Sequence, residues 1–471
     1  MVFRVWLSSQ IGSEGMGLFQ LVLSVYVLIS TFGTTGICTA VSRMVADNES
    51  NGNAIKKIMN RSSLLILIIS VITIVAVFIL APWISNYIIC DSRAELPIKL
   101  LLIGLPFLAL CSGIRGYFIG KRKAIIPSVG QIIEQIVRII AVFILAIKAI
   151  PYGLEYACGA VVLGGGLGEI IEFIFVYLCY VFRKKETTGK KIPVTKELLR
   201  ISLPITAGRY IHTALRTIEN MLVPARLSLF SGSRTLALSQ FGNLKGMAIP
   251  LLFFPASFLA AFSTMMIPEI SSSMSAGHRV KVKTATEKSI GITIIVSVLI
   301  GGIFFICGRN ISLLLYGSAD TGVLLTCLSP LVPLMYLESV CDGILKGLDQ
   351  QKHSFIYGVI DSISRIALIY FLCPIGGMKN FLLIMIYSNM LTSLLNLRRL
   401  IKITNIEINF RSWIMNPLIA IIISGLVGYI CMLNIVAILP KILVGVFITT
   451  SIYITIITLM GEAKIAQGIF K

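Results

Sequence analysis

Six polar residues recur at spacings of three and four within the apolar segment 198–224. They are Arg209, His212, Thr213, Arg216, Glu219 and Asn220. This spacing places them on one face of a helix, as a polar stripe about three turns long. Glu219 can pair with Arg216, which leaves Arg209 as the most available positive charge. Because a guanidinium group matches phosphate in shape and charge, the stripe predicts that this helix binds an anion.

The stripe has two interpretations, because polar side chains in a membrane segment do not face lipid. It either lines a cavity that holds water or substrate, or it forms a hydrogen-bonded seam with another helix. Pro204 and Gly208 allow a bend beside it. His212 either titrates near neutral pH or serves as a hydrogen-bonding spacer.

Other basic residues in apolar segments have structural explanations. Arg138 follows Glu134 by four residues, and Arg365 follows Asp361 by four, so each couple is predicted to form a structural ion pair on one helix face. Three further basic residues lie near predicted span ends, where they are expected to extend to the membrane interface. They are Arg43, Arg115 and Lys245.

Several acidic residues in the apolar segments have no evident local partner. Glu169 and Glu172 lack a nearby base in the sequence, whereas Glu338 and Asp342 share a helix face and should repel each other unless a cation or proton intervenes. Coupling to Na⁺ or H⁺ is therefore an open alternative. No metal or cofactor is expected, because the sequence contains no Walker motif, HExxH, GxSxG or Cys/His cluster. The chain is predicted to be a transporter, not an enzyme, driven by an ion gradient, the membrane potential or substrate concentration.

The elements that position these residues are membrane helices. The chain has 471 residues, of which 56% are hydrophobic and 13% are charged. This composition excludes a soluble globular enzyme and predicts an all-α polytopic membrane protein. Residues 1–8 are interpreted as the end of a first helix whose start is missing. Thirteen further spans are predicted near 18–45, 64–89, 97–119, 125–148, 154–182, 198–224, 241–270, 289–308, 321–345, 355–374, 380–400, 412–433 and 441–461.

The net charge of +20 sets the orientation of these spans. Alternate predicted loops carry 25 Lys and Arg residues, whereas the intervening loops carry 8. The positive-inside rule places the richer side in the cytoplasm, together with the C-terminus, and places loops 8–17 and 225–240 outside. The charge is therefore explained by topology in the cytoplasmic membrane, and no nucleic-acid partner is expected.

An internal repeat organises the spans. Residues 105–145 align without gaps to 332–372, a shift of 227, and the alignment superposes Glu134 on Asp361 and Arg138 on Arg365. The two copies have the same orientation, which predicts two six-helix lobes related by a pseudo-two-fold axis along the membrane normal, with a cavity between them for alternating access. The predicted divisions are an N-terminal lobe 1–183, a cytoplasmic linker 184–197, a C-terminal lobe 198–403, and two extra helices with a tail 404–471.

Four segments resemble the stage V sporulation protein B family. They are LSSQIGSEGMGLFQLVLSVYVLISTFGTTGICTAVSRMVAD (7–47), GYFIGKRKAIIPSVGQIIEQIVR (116–138), LLRISLPITAGRYIHTALRTIENMLVPARL (198–227) and SQFGNLKGMAIPLLFFPASFLAAFSTMMIPEISSSMSAG (239–277). The similarity runs over nearly the whole chain. This family belongs to the polysaccharide-transporter branch of the multidrug/oligosaccharidyl-lipid/polysaccharide superfamily, which also contains lipid II flippases and MATE exporters.

The resemblance implies a flippase for an undecaprenyl-pyrophosphate-linked saccharide, such as a peptidoglycan precursor of the cell wall or spore cortex. Its partners would be this lipid-linked oligosaccharide, the bilayer and wall-synthesis enzymes. Relatives carry functional arginines at the end of the first helix, where Arg4 lies. Arg209 and Arg216, with Arg4 and Arg43, would neutralise the pyrophosphate, while His212, Glu219 and Asn220 would shape or gate the site. Because only residues 1–8 are interpreted as part of the family's first helix, most of that helix is expected to be missing from this sequence.

Two other functions remain open from the residues alone. A cation-coupled multidrug exporter of the MATE type has the same fold, although it should prefer an acidic cavity to a basic stripe. A non-transporting membrane scaffold for wall synthesis would use the stripe only as a helix seam.

Overall fold

The computed structural model describes residues 2–49, 51–182 and 194–461 of the chain. The side chains of residues 2, 33, 35, 260–267 and 269 are not described. Most of the predicted linker 184–197, and the basic tail from residue 462, lie outside the described residues. Within these ranges every regular element is a helix, which confirms the predicted all-α class.

Residues Leu18–Leu222 form one compact unit, called here the N-terminal unit. Most of α1, all of α2 to α6 and the first part of α7 belong to it. These helices are α1 (Val2–Asp47), α2 (Gly52–Trp83), α3 (Glu95–Leu101), α4 (Leu105–Gly120), α5 (Ile125–Ala149), α6 (Leu154–Val181) and α7 (Val194–Ser231).

The residues up to Gly17 and those from Val223 onward form a second compact unit, called here the C-terminal unit. Besides the ends of α1 and α7, it contains α8 (Arg234–Phe241), α9 (Ile249–Phe253), α10 (Ala256–Ser275), α11 (Arg279–Tyr316), α12 (Ala319–Leu328), α13 (Val332–Gly347), α14 (Gln351–Thr404), α15 (Asn416–Leu433) and α16 (Ile438–Leu459). The predicted lobe limits, 1–183 and 198–403, and the pseudo-two-fold axis stay predictions.

Eight helices of the described ranges are long and apolar enough to cross a membrane, or nine if the bent couple Ser92–Leu101 and Leu105–Gly120 counts as one span. The predicted polytopic membrane class is thereby confirmed. The span predicted at 97–119 is this couple, which bends by 43°. The spans predicted at 355–374 and 380–400 both lie in α14, which is interrupted at Gly377, where φ is 58°. α5 and α7, which carry several of the charged residues described below, do not meet this length and hydropathy test.

Two predicted outward loops are largely helical. Segment 8–17 is part of α1, broken at Gly12, where φ is 67°. Segment 225–240 is the end of α7 and most of α8, joined by a short turn at Gly232 and Ser233. Tertiary packing explains the first case, because the Ser13 and Ser239 hydroxyls lie 2.6 Å apart and hold this glycine-rich stretch against α8.

Candidate functional site

A cluster of ionisable side chains forms inside the N-terminal unit, where α1, α4, α5 and α6 meet. Its members are Tyr26, Arg115, Glu134, Arg138, Glu169 and Glu172. Glycines on α6 allow this approach, since a methyl group at Gly164 would overlap the Val142 backbone and one at Gly168 would press on Glu134. The small residues therefore bring the charged face of α5 directly onto α6.

Arg115 on α4 and Glu172 on α6 form the most complete ion pair of this cluster. Arg115 Nε donates to Glu172 Oε1 at 2.9 Å, and a second hydrogen bond joins Arg115 Nη2 to Glu172 Oε2. Glu172 is fully buried. The expectation that Arg115 extends to the membrane interface was wrong. Glu172 has no base near it in sequence, as expected, but it pairs with Arg115 of another helix. The reason is that the partner lies 57 residues away, beyond what helix spacing reveals.

Arg138 lies between two carboxyl groups. Its Nη2 donates to Glu134 on the same helix, and the same atom lies 3.9 Å from Glu169 Oε1 on α6. Glu169 Oε1 also accepts a hydrogen bond from the Tyr26 hydroxyl on α1. The pair of Glu134 and Arg138 therefore forms as the spacing indicated, and it also reaches Glu169, for which no base was expected.

The corresponding pair forms in the C-terminal unit. Arg365 Nη2 donates to Asp361 Oδ2 at 2.9 Å, and the Ser388 hydroxyl donates to Asp361 Oδ1 at 2.6 Å. Nearby in sequence, Asp342 Oδ2 accepts from Lys346 Nζ at 2.5 Å. The expected repulsion between Asp342 and Glu338 is therefore relieved by a lysine one turn later, because Lys346 shares the same helix face.

The polar stripe on α7 divides into buried and exposed members. Asn220 donates to the Ser24 hydroxyl at 2.9 Å, and the neighbouring Thr217 donates to the Ser24 carbonyl at 3.1 Å. Glu219 is 2% exposed, and His212 is half-buried. The C-terminal part of the stripe is thus a hydrogen-bonded seam with α1, which is the second of the two interpretations of the sequence.

Arg209 and Arg216 differ from these neighbours. Both are exposed within the chain, and neither has a hydrogen bond or ion pair to another described residue. Each lies two positions before an exposed isoleucine, Ile211 or Ile218. Helical residues that are two positions apart differ by about 200° around the helix axis. Each arginine therefore points about 160° away from that apolar surface. The two cations therefore share a face opposite the exposed apolar side of α7.

Two other predicted substrate residues, Arg43 and Arg4, make contacts of their own. Arg43 is 70% exposed and lies 3.9 Å from Asp47 on its own helix. Arg4 is half-buried in the C-terminal unit, close enough to Tyr316 for an electrostatic interaction. Arg209 and Arg115, in contrast, both interact electrostatically with Cys38, so the charged cluster lies near the arginine face of α7.

An apolar cavity of about 680 Å³ lies in the C-terminal unit between α11, α13 and α15. Gly301 and Gly302 on α11 line it together with Gly425 on α15, and Phe305 and Ile422 add apolar side chains to its walls. Ser329 supplies one of its few polar groups. The cavity suits a hydrocarbon chain better than a polar ligand.

Sequence reasoning missed Tyr26, Ser24 and the links between Arg115, Arg138 and the two α6 carboxyl groups. A usable signal was present, because ionisable residues inside a membrane nearly always pair with one another. Two arginines and three acids in neighbouring spans should have suggested such pairing. Among the described residues, no group of three or more His, Cys, Asp or Glu side chains is arranged to hold a metal ion.

Known proteins resemble this chain in sequence. "Stage V sporulation protein B" of Bacillus subtilis (strain 168) is 25% identical over 439 residues, which is 91% of this chain and 85% of that protein. "Lipid II flippase MurJ" of the same organism is 24% identical over 405 residues, which is 78% of this chain and 73% of that protein.

Solved structures share the fold. "Lipid II flippase MurJ, inward closed conformation" has a TM-score of 0.77 and 17% identity, covering 98% of this chain and 96% of that one. An inward-facing multidrug resistance MATE family transporter of the MOP superfamily has a TM-score of 0.68 and 16% identity, covering 86% and 94%. Residues 1–266 match the model of a family described as "Polysaccharide biosynthesis protein". Because this match covers more than half of the sequence, the chain belongs to the polysaccharide biosynthesis protein family.

Proposed function

We propose that this chain is a membrane flippase for an undecaprenyl-pyrophosphate-linked saccharide, and specifically for a peptidoglycan precursor of the cell wall or spore cortex. Its fold matches that of a lipid II flippase along almost the whole chain. Relatives in sequence are named as a lipid II flippase and as sporulation proteins. These similarities give the class of function, and the residues of α7 suggest the chemistry.

The observation that carries the proposal is the pair of exposed arginines on α7. Arg209 and Arg216 lie seven residues apart on one helix face and have no hydrogen-bond or ion-pair partner in the described part of the chain. In the membrane span predicted at 198–224, each cation would cost free energy, about 2.5–3.5 kcal/mol at the bilayer centre on the insertion scale. A pyrophosphate group offers oxygen acceptors that match both guanidinium groups. We infer that the two arginines hold the charged head of the lipid carrier.

The seam residues would fix the position of these cations. Asn220 and Thr217 form hydrogen bonds to Ser24 of α1. These bonds would hold α7 in place and so fix the position of the two arginines. The buried Glu219 and half-buried His212 would shape the neighbouring surface. Arg4 and Arg43 stay predictions as additional contacts.

The apolar cavity of the C-terminal unit supports a substrate with a long hydrocarbon tail. It is bounded by α15, one of the two helices outside the repeat, and by the glycine-containing face of α11. A prenyl chain could enter without losing hydrogen bonds, because the walls are almost entirely apolar. The cationic face of one unit and the apolar cavity of the other each match one part of a polyprenyl pyrophosphate, the first its charged head and the second its hydrocarbon tail.

The proposal places the chain in the cytoplasmic membrane with its C-terminus inside the cell. Lipid-linked oligosaccharide and bilayer would be its direct partners, and enzymes of wall synthesis would act on the same lipid. Movement would follow alternating access, with a coupling ion, Na⁺ or H⁺, as a further expectation.

Substitution of the two arginines tests the proposal. Each charge-assisted hydrogen bond is worth about 1.5–3 kcal/mol, so Arg209→Gln with Arg216→Gln should weaken binding of undecaprenyl pyrophosphate to the purified protein by about 100-fold or more. The same double variant should fail to rescue a bacterial strain depleted of its own lipid II flippase. Arg200→Gln is the matched control, because Arg200 is an exposed arginine on the same helix.

The alternatives give different results in this experiment. Normal rescue by a well-expressed double variant would contradict the proposal and favour a scaffold role. Resistance to cationic drugs without rescue would favour a multidrug exporter, for which the cluster of three carboxyl groups and two guanidinium groups in the N-terminal unit is the supporting observation.

A further inference from the structure

The charged cluster of the N-terminal unit has more acids than bases. Within the described residues it contains the carboxyl groups of Glu134, Glu169 and Glu172 but only the guanidinium groups of Arg115 and Arg138. All three acidic side chains are at most 10% exposed. If every group were ionised, a net negative charge would be buried among membrane helices.

The two guanidinium groups are already engaged. Arg115 makes two hydrogen bonds to Glu172, and Arg138 donates to Glu134. Glu169 lies 3.9 Å from Arg138 Nη2, which is beyond hydrogen-bond distance. The surplus carboxyl group of the cluster is therefore Glu169.

Other elements packed on α6 supply no further cation to Glu169. On α3, Lys99 bonds Glu95 at 2.6 Å, and in the adjoining 3₁₀ turn Arg93 bonds Asp91 at 2.8 Å. The ionisable groups that act on Glu169 come from α1, α5 and its own helix, and they are Tyr26, Arg138, Glu134 and Glu172. Of these, only Arg138 carries a positive charge.

A carboxyl group buried without its own counter-charge is stable only as the neutral acid or with a bound cation. In the described part of the chain, Glu169 belongs to no group of three or more His, Cys, Asp or Glu side chains arranged to hold a metal ion. We propose that Glu169 binds a proton at neutral pH and is a membrane-embedded proton site of this chain. The Tyr26 hydroxyl donates to Oε1, and the proton resides on Oε2, which faces Gly104. Release of this proton leaves the cluster with a net charge of minus one, so pH and membrane potential act on the chain at this residue.

Infrared spectroscopy of the full chain in detergent tests the proposal without any transport substrate. At pH 7 the carbonyl stretch of a protonated carboxylic acid is expected in the wild-type spectrum and should be lost in Glu169→Gln. It should weaken in Glu134→Gln, because that change frees Arg138 for Glu169 and removes the surplus of carboxyl groups. It should persist in the surface control Glu95→Gln. Tyr26→Phe should shift its frequency, because one hydrogen bond to Glu169 is removed. Persistence of the full band in Glu169→Gln, or its absence from wild type at pH 7, would overturn the proposal.

Thermal unfolding supplies an independent measurement. Glutamine has the shape of the neutral acid, so Glu169→Gln should change the unfolding temperature by roughly 2 °C or less, whereas Glu172→Gln should lower it by about 5 °C or more. Equal losses would mean that Glu169 is an ionised partner of Arg138, contrary to the proposal. If Glu169→Gln does not fold, Glu169→Asp takes its place in the infrared experiment and should retain a displaced band. Because none of these measurements uses a lipid-linked sugar, they can fail while the flippase proposal stands.

Discussion

Charged side chains in the helices of this protein fall into two groups. Arg115 and Arg138 meet acids from neighbouring helices, and Arg365 meets Asp361 on its own helix. Arg209 and Arg216 meet no described partner. Since membrane helices rarely retain unpaired cations without a functional reason, the unpaired group is the better candidate for substrate binding and the paired group for stability.

The ion pair of Arg115 and Glu172 gives a prediction at this scale. Glu172→Gln leaves a guanidinium group in the interior without its counter-charge, which should reduce the free energy of unfolding by about 3–5 kcal/mol. Denaturation of the purified protein in detergent measures this change. Glu95→Gln is the control, because its pair with Lys99 is about one-third exposed and should contribute at most about 1 kcal/mol. A similar loss in both variants would show that burial of the pair has no special effect.

Packing between elements determines how the charged residues of the N-terminal unit are used. Gly164 and Gly168 let α6 approach α5, which brings Glu169 within reach of Arg138. The seam at Ser24 fixes α7 on α1 and leaves its arginine face outside the contact. In the C-terminal unit, glycines on α11 and α15 likewise allow close contacts, since a methyl group at Gly302 would overlap Ile421, and they also line the apolar cavity. Small residues thus set how closely helices approach in both units.

The cavity between α11 and α15 gives a prediction at the scale of elements. Ile422→Trp introduces a large ring from α15 into the cavity, so transport of a prenyl-linked substrate should fall severalfold in a vesicle flipping assay. Ile423→Trp is the matched control, because Ile423 is the next residue of the same helix and does not line the cavity. Equal activity of both variants would remove this cavity as the place of the prenyl tail, while the arginine experiment would still test the headgroup site.

The whole molecule is a polytopic helical membrane protein, with orientation expected from its distribution of basic residues. α15 ends at Leu433 and α16 begins at Ile438, so the connection between them is expected to lie outside the cell. The fully exposed Val436, at 97%, marks this connection. If this connection lies outside the cell, the residues that follow α16 lie in the cytoplasm, because α16 crosses the membrane once between them.

Reporter fusions test this orientation. A fluorescent protein fused after the last residue should be folded and bright, because the positive-inside rule places the C-terminus in the cytoplasm. Alkaline phosphatase fused after Val436 should be active, since that enzyme requires the outer side of the membrane. Active phosphatase at the C-terminus would reverse the predicted topology of the complete chain.

Local sequence alone determined the membrane class and the pairs four residues apart. A chain with so few charged residues and such long apolar runs cannot cover a water-facing surface, so its helices must lie in a membrane. An α-helix places residues i and i+4 on one face, as for Glu134 with Arg138 and Asp361 with Arg365. The stripe on α7 was predicted for the same reason.

Only the tertiary structure decided which distant charges meet and which stripe residues stay accessible. Arg115 and Glu172 are 57 residues apart, and Tyr26 and Glu169 are 143 apart, so no helical period relates them. The division of the stripe into a seam at Asn220 and an open face at Arg209 depends on where α1 packs. Helix periodicity fixes the face of each residue, but the packing of neighbouring helices determines what that face contacts.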